Sequence, residues 1–175
     1  GSTRDVEAPL TGAEFAASIS KSLAKRALAL KLDGAVVDLA TEIDRDCELA
    51  VITADDDEGV ELMRHDCAHV MAQAVQELFP GTQVTIGPVI EDGFFYDFAR
   101  ETPFSLDDLE TIEKRMREIV ERNEPLVREV WDRAEAIAHF REIGEVYKAE
   151  IIADIPGDEA ITVYRQGDWK DLCRG

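Results

Sequence analysis

The chain has 175 residues, with 19 Lys+Arg against 38 Asp+Glu (formal charge -19), 45% apolar residues, 11 Gly and 6 Pro. That length suits one ordinary domain or two small ones and buries enough surface for a real core, which excludes low-complexity, collagen-like and wholly disordered chains. No run approaches the roughly 18 apolar residues of a membrane span, no secretory signal opens the chain, and the acidic excess opposes unaided binding to nucleic acid, so any RNA partner is gripped mainly elsewhere.

In chain order, Gly1-Ser2 is either a cloning remnant or the far half of a hairpin turn, and residues 4–8 read as a strand. Thr11-Gly12-Ala13-Glu14 is a capping box, followed by Phe15, Ile19 and Leu23 at helical spacing, which predicts a helix of about three turns. Leu28, Leu30 and Leu32 alternate up to Asp33-Gly34, a two-residue hairpin signal, and a returning strand and a last strand at 47–53 complete a β-hairpin packed on a helix. The acidic run Asp55-Asp56-Asp57-Glu58-Gly59 reads as a linker, giving domains 1–58 and 59–175. Beyond it, a helix at 60–79, strands at 84–90 and 94–98, and a second long helix capped by Ser105 are predicted. A strand at 126–131, a helix from Asp132 to Gly144, and strands at 146–152 and 161–165 follow. The first domain is most of a β-grasp module, its first strand outside the chain. The order of elements is α+β rather than doubly wound α/β.

Three cysteines, Cys47, Cys67 and Cys173, are odd in number and far apart, which predicts reduced thiols and a cytosolic protein. On a wheel of helix 60–79, Met63, Cys67, Val70, Met71, Ala74, Val75 and Leu78 form one apolar arc, with His65 and His69 almost opposite. Cys67 therefore reads as inert packing. Two imidazoles one turn apart share a ligand, a metal ion or a water, or are simply solvated; H-x-x-x-H alone does not decide. A thiolate at Cys173 would complete a three-ligand zinc set if the fold brings it over the helix. His139 reads as a solvated or half-buried residue, and Lys148 as a mid-strand lysine either exposed or aimed into a cleft. Tyr96 and Trp169 read as core aromatics or site residues.

Four separated stretches, 64–69, 86–97, 144–148 and 171–175, together resemble the N-terminal region of the threonyl-tRNA synthetases. The resemblance implies a TGS domain of β-grasp fold, then an editing domain that hydrolyses serine from mischarged tRNA(Thr). It places His65, His69, Lys148 and Cys173 in a catalytic role, and Tyr96 and Asp171 around the seryl group and terminal adenosine. The histidine pairing with Cys173 in the family's C-x-x-x-H would lie two residues past Gly175, with the domain's end, so hydrolysis by this chain is expected to be impaired. Editing in the bacterial family works through bound waters with no required metal, whereas the related zinc-dependent alanyl-tRNA editing proteins hold zinc on the same positions; a zinc ion at His65, His69 and Cys173 stays open. ATP, the synthetic-site zinc and the homodimer interface belong to an aminoacylation core outside this chain. A non-catalytic, TGS-linked binding or regulatory module and a zinc-dependent hydrolase of the alanyl-tRNA editing type are the other readings; the combination of His65, His69, Lys148 and Cys173 argues against the first, and the N-terminal β-grasp segment against the second.

Overall fold

The computed structural model describes residues 3–173, so the reading of Gly1-Ser2 lies outside the described residues. The chain forms two compact units, residues 1–64 and 65–175, each a mixture of helices and antiparallel strands. None of the helices is long and apolar enough to cross a membrane among the described residues.

In the first unit β1 (Leu10–Thr11) leads directly into α1 (Gly12–Ile19). Residues 3–8 are exposed and form no strand, contrary to expectation; nothing buries one face of them, and Pro9 has no N–H for a ladder. Thr11 accepts from the Glu14 N–H at 3.3 Å while the Glu14 carboxylate accepts from the Thr11 N–H at 2.7 Å, the reciprocal pairing of a capping box. The expected single helix is two, because the Ser20 hydroxyl accepts from the Leu23 N–H at 3.0 Å and starts α2 (Lys21–Arg26). Then β2 (Ala27–Leu32) and β3 (Ala35–Val37) form the hairpin. Asp33 and Gly34 both take positive φ (48° and 89°), as its two-residue turn requires. The short β4 (Glu42–Ile43) pairs with β1, and β5 (Leu49–Thr53) pairs with the other edge of β2. Ala16, Ala29, Leu30, Ile43 and Ile52 are the buried apolar residues.

The acidic run is not a linker throughout: α3 (Asp57–Leu78) begins inside it. Asp57 and Glu58 occupy its first turn, where the positive end of the helix dipole favours carboxylates. Short strands follow, β6 (Gln83–Val84), β7 (Val89–Ile90), β8 (Gly93–Phe94) and β9 (Phe98–Ala99), with β6 pairing β9 and β7 pairing β8. The capping box at Ser105 and Asp108 opens α4 (Leu106–Arg122). A three-stranded antiparallel sheet in the order β10-β11-β12 is built from β10 (Leu126–Trp131), β11 (Ile161–Gln166) and β12 (Trp169–Leu172). Between β10 and β11 lie α5 (Arg133–Glu142) and α6 (Val146–Asp154).

The segment 146–152, expected as a strand, is therefore helix. Ala149, Ile152 and Ile155 are buried at three-residue spacing against Phe140, Ile161, Val163 and Leu172, and this packing overrides the β-propensity of the branched residues. A second cluster joins Ala74 and Val75 of α3 to Ile112 and Ile119 of α4.

Glu77 clamps those two helices. Its carboxylate accepts from Arg122 (Nη1 2.7 Å, Nη2 2.8 Å) and from Arg115 Nη1 at 2.9 Å, and these bonds, led by Arg122, hold its pKa down to about 2. A carboxyl lowered from 4.5 to about 2 adds stability that is present above pH 4.5 and lost as pH falls toward 2. Because the group is partly solvated, Glu77→Gln should cost about 1 kcal/mol at pH 7. Urea midpoints of the variant and the wild type should converge as the pH is lowered through that window.

Candidate active site

The site in the second unit is a strand laid antiparallel against a helix face. Alternate residues of a strand point to one side, so Trp169 and Asp171 of β12, and Cys173 just past it, share a face. On α3, His65, His69 and Gln76 follow helical spacing and meet that face in reverse order. Trp169 Nε1 donates to Gln76 Oε1 at 2.7 Å, Asp171 Oδ2 lies 2.9 Å from His69 Nδ1, and Cys173 Sγ lies 3.0 Å from His65 Nε2. The two histidines meet at 3.1 Å, Nε2 to Nε2. Cys173 stays in register past the end of β12 because its N–H donates to the Thr162 carbonyl at 3.1 Å and its own carbonyl accepts from the Thr162 hydroxyl.

Lys148 enters from α6. It is buried, its Nζ lying 2.7 Å from Asp171 Oδ1 and donating to the Tyr96 hydroxyl at 3.2 Å. Tyr96 in turn donates to Asp171 Oδ2 at 2.9 Å. All six residues singled out from the sequence thus converge. Two of them, Lys148 and Asp171, and the neighbouring Cys67 are placed differently from expectation. Lys148 is on a helix, not a strand. Cys67, expected in the core, is exposed, as is Met63, because the buried side of α3 includes the imidazole face: Ala68, His69, Ala72 and Gln73 are all buried. Asp171, expected to face the substrate, is fully buried beneath Lys148, Tyr96 and His69, and so holds its neighbours in place. His139 is half-buried, against the Trp131 and Phe140 rings.

The electrostatics follow from burial and pairing. Burial alone would raise the Asp171 carboxyl, but the Lys148 ammonium and the His69 bond outweigh it and the pKa is lowered. Burial likewise opposes charge on His69, yet Asp171 and Cys173 raise its pKa to about 9. Tyr96 is pushed far up, first by burial and then by the Asp171 charge, so at neutral pH it is a phenol that donates.

Residues 1–53 match the TGS domain family, which implies a β-grasp fold there. The whole chain is 64% identical to a threonine-tRNA ligase of Parvibaculum lavamentivorans, and 61% identical to those of Phenylobacterium zucineum and Rhodospirillum rubrum. Along its whole length the chain matches the N-terminal region of threonine-tRNA ligases. It corresponds to the TGS-bearing N-terminal region and spans 27% of the length of each of these ligases.

Sequence reasoning missed a second polar layer in this ligase segment. Gln76, which accepts from Trp169, donates through Nε2 to the Thr82 carbonyl at 3.2 Å and to Glu145. The other oxygen of Glu145 accepts from the Val84 N–H at 2.9 Å. Glu145 is buried and precedes Lys148 by one helical turn, so it ties the start of α6 to α3 and β6. A carboxylate flanked by Gly144 and three residues before a lysine was the available signal. Burial raises the Glu145 pKa, and its bond to Val84 opposes the shift. Glu145→Ala would orphan the buried Val84 N–H and the Gln76 amide, and should cost about 2 kcal/mol in chemical denaturation.

The residues also fit a metal. His65, His69 and Cys173 offer two imidazole nitrogens and a thiol within 4.8 Å of one another. That N, N, S set suits a three-ligand zinc site with an open position. The Asp171 carboxylate on His69 Nδ1 supplies the outer hydrogen bond that ligating histidines normally make.

Proposed function

We propose that this chain is the editing region of a threonine-tRNA ligase, with residues 1–58 as the TGS domain and residues 59–175 as an α+β editing domain, acting in the cytoplasm on serine wrongly esterified to the 3′ end of tRNA(Thr). The observation that carries the reading is the chain of contacts Lys148, Asp171, His69, His65 and Cys173 in a chain 64% identical to a threonine-tRNA ligase. In this reading the rest of the ligase supplies most of the grip on tRNA, the ATP and zinc of aminoacylation, and the homodimer interface.

Serine is threonine without one methyl. A synthetic site separates such a pair by only about 1–3 kcal/mol, so a second, hydrolytic sieve is needed. The reaction requires a proton acceptor for water and stabilisation of an oxyanion. Both nitrogens of His69 are engaged, one by Asp171 and one by His65, whereas His65 is only half-buried and has its Nδ1 outside these contacts. His65 is therefore the base, acting through Nδ1 in the tautomer whose Nε2–H faces the Cys173 sulfur. Water oxygen attacks the ester carbonyl carbon while its proton passes to His65, and the carbonyl electron pair moves to an oxyanion facing the Lys148 ammonium. When the carbonyl re-forms, the ester C–O bond breaks and the ribose oxygen takes the proton back from the imidazolium. The products are serine and a free ribose hydroxyl.

A second reading rests on the three-ligand set: bound zinc would lower the pKa of a water and polarise the carbonyl. Metal content of protein purified without added zinc, and hydrolysis with and without chelator, separate the two. For the main reading, a full-length ligase carrying these residues should deacylate Ser-tRNA(Thr) and spare Thr-tRNA(Thr). His65→Ala should slow the first reaction by about 100-fold or more. Equal hydrolysis of both esters, or none of either, would refute it.

A further inference from the structure

The glycine at position 87 has no conformational reason to be one among those of the chain with positive φ, since it is not in the left-handed region. Its reason is space. A Cβ there would lie 2.2 Å from Cδ2, 2.5 Å from Cε2 and 3.0 Å from Cγ of Tyr96, so the Cδ2–Cε2 side of the phenol ring occupies the space a side chain at 87 would take. The Phe98 ring stacks with Tyr96 at 5.0 Å and 22°. Around this contact the backbone of 85–88 pairs with that of 95–97: Phe95 N–H donates to Pro88 O (3.3 Å), Asp97 N–H to Ile86 O (3.0 Å) and Thr85 N–H to Asp97 O (3.2 Å). Neither side of the seat can move away easily. Phe98 is itself edge-packed on Phe104 at 5.7 Å, which packs on Phe79 at 5.6 Å.

We infer that Gly87 is a positioning residue that acts through Tyr96: by presenting no side chain it lets the ring lie where its hydroxyl spans Lys148 and Asp171. The catalytic part of the inference rests on the editing reading; the seating of the ring does not. Any side chain at 87 displaces the ring and withdraws the one phenol that both donates to Asp171 and accepts from Lys148. Lys148 and Asp171 pair directly at 2.7 Å, so the fold survives loss of the phenol while the ammonium loses the partner that fixes its direction.

The test compares Gly87→Ala, Tyr96→Ala and the double variant in the full-length ligase. Side-chain NMR of 13C-labelled tyrosine, assigned by Tyr96→Phe, should show the Tyr96 resonance shifted in Gly87→Ala with Tyr147 and Tyr164 unmoved; an unmoved Tyr96 resonance overturns the inference whether or not the ester is hydrolysed. In Ser-tRNA(Thr) hydrolysis, Gly87→Ala should lower kcat by about 10-fold or more with KM changed less than about 2-fold. On the Tyr96→Ala background the same substitution should change kcat by less than about 2-fold, because the ring it collides with is gone. Equal losses on both backgrounds would mean that Gly87 acts independently of Tyr96. If Gly87→Ala fails to fold, rescue of folding by Tyr96→Ala supports the collision and failure to rescue refutes it. Absence of hydrolysis in the wild type would strike the editing reading alone.

Discussion

Asp171→Asn should abolish hydrolysis of Ser-tRNA(Thr), to below about 1% of wild type, and also cost about 3–5 kcal/mol of stability, the typical penalty for removing one partner of a buried ion pair. Asp171 is wholly buried, and its carboxylate faces the Lys148 ammonium on one oxygen and the His69 and Tyr96 donors on the other. An asparagine keeps the shape but leaves Lys148, itself buried, without a countercharge, and it turns an N–H₂ toward one of the donors. The strong form of the prediction is a cycle. Lys148→Met should be less damaging to stability, since Asp171 retains two donors. Lys148→Met with Asp171→Asn should regain at least half of the stability lost in Asp171→Asn, while hydrolysis stays absent. Urea denaturation of the three variants, read beside deacylation, separates the two effects. A fully stable Asp171→Asn protein would mean that Lys148 does not depend on that carboxylate.

What could be read in advance divides by range. The caps at Thr11 and Ser105 and the turn at Asp33-Gly34 were legible because each is completed within a few residues of itself. The division of the first helix at Ser20 was just as local, yet Phe15, Ile19 and Leu23 kept helical spacing across it and hid the second cap. α6 was misread because Val146, Ile151 and Ile152 favour strands in isolation, and only packing against Phe140 and Leu172 decides otherwise. In the site, the i, i+4 histidine pair was visible as chemistry, whereas its partners were named by the family resemblance and, for Cys173, by the ligand count alone, with no local pattern to show how they would meet it. The strand β12 was not anticipated, so the alternation of Trp169, Asp171 and Cys173, which matches Gln76, His69 and His65, carried no signal. The apolar arc of α3 misled for a related reason. A polar network filled the opposite face, and so residues on the arc such as Met63 and Cys67 stayed exposed.

Gly59 was read as punctuation in an acidic linker, and the structure gives it another task whose removal should be severe. It lies in the first turn of α3, and a Cβ on it would fall 1.8 Å from the carbonyl oxygen of Thr53 and 2.7 Å from that residue's carbonyl carbon. The obstacle is backbone, which has no rotamer to retreat into. That carbonyl also accepts from the Asp56 N–H at 3.1 Å, while the Asp56 carboxylate accepts from the Thr53 N–H at 2.7 Å and its hydroxyl at 2.9 Å. The turn joining β5 to α3 is thereby closed by three bonds that cannot all persist if Thr53 moves. Overpacking commonly costs about 1–3 kcal/mol when side chains yield; here the backbone must yield, so Gly59→Ala should cost about 3 kcal/mol or more. The same exchange at Gly157, a turn residue where a Cβ would meet nothing within 4 Å, should change stability by less than about 0.5 kcal/mol and serves as the case in which the added methyl has room. Thermal and urea unfolding of the two variants, with amide exchange at β5, would settle the matter: a Gly59→Ala protein as stable as Gly157→Ala would show that the first turn of α3 does not press against Thr53.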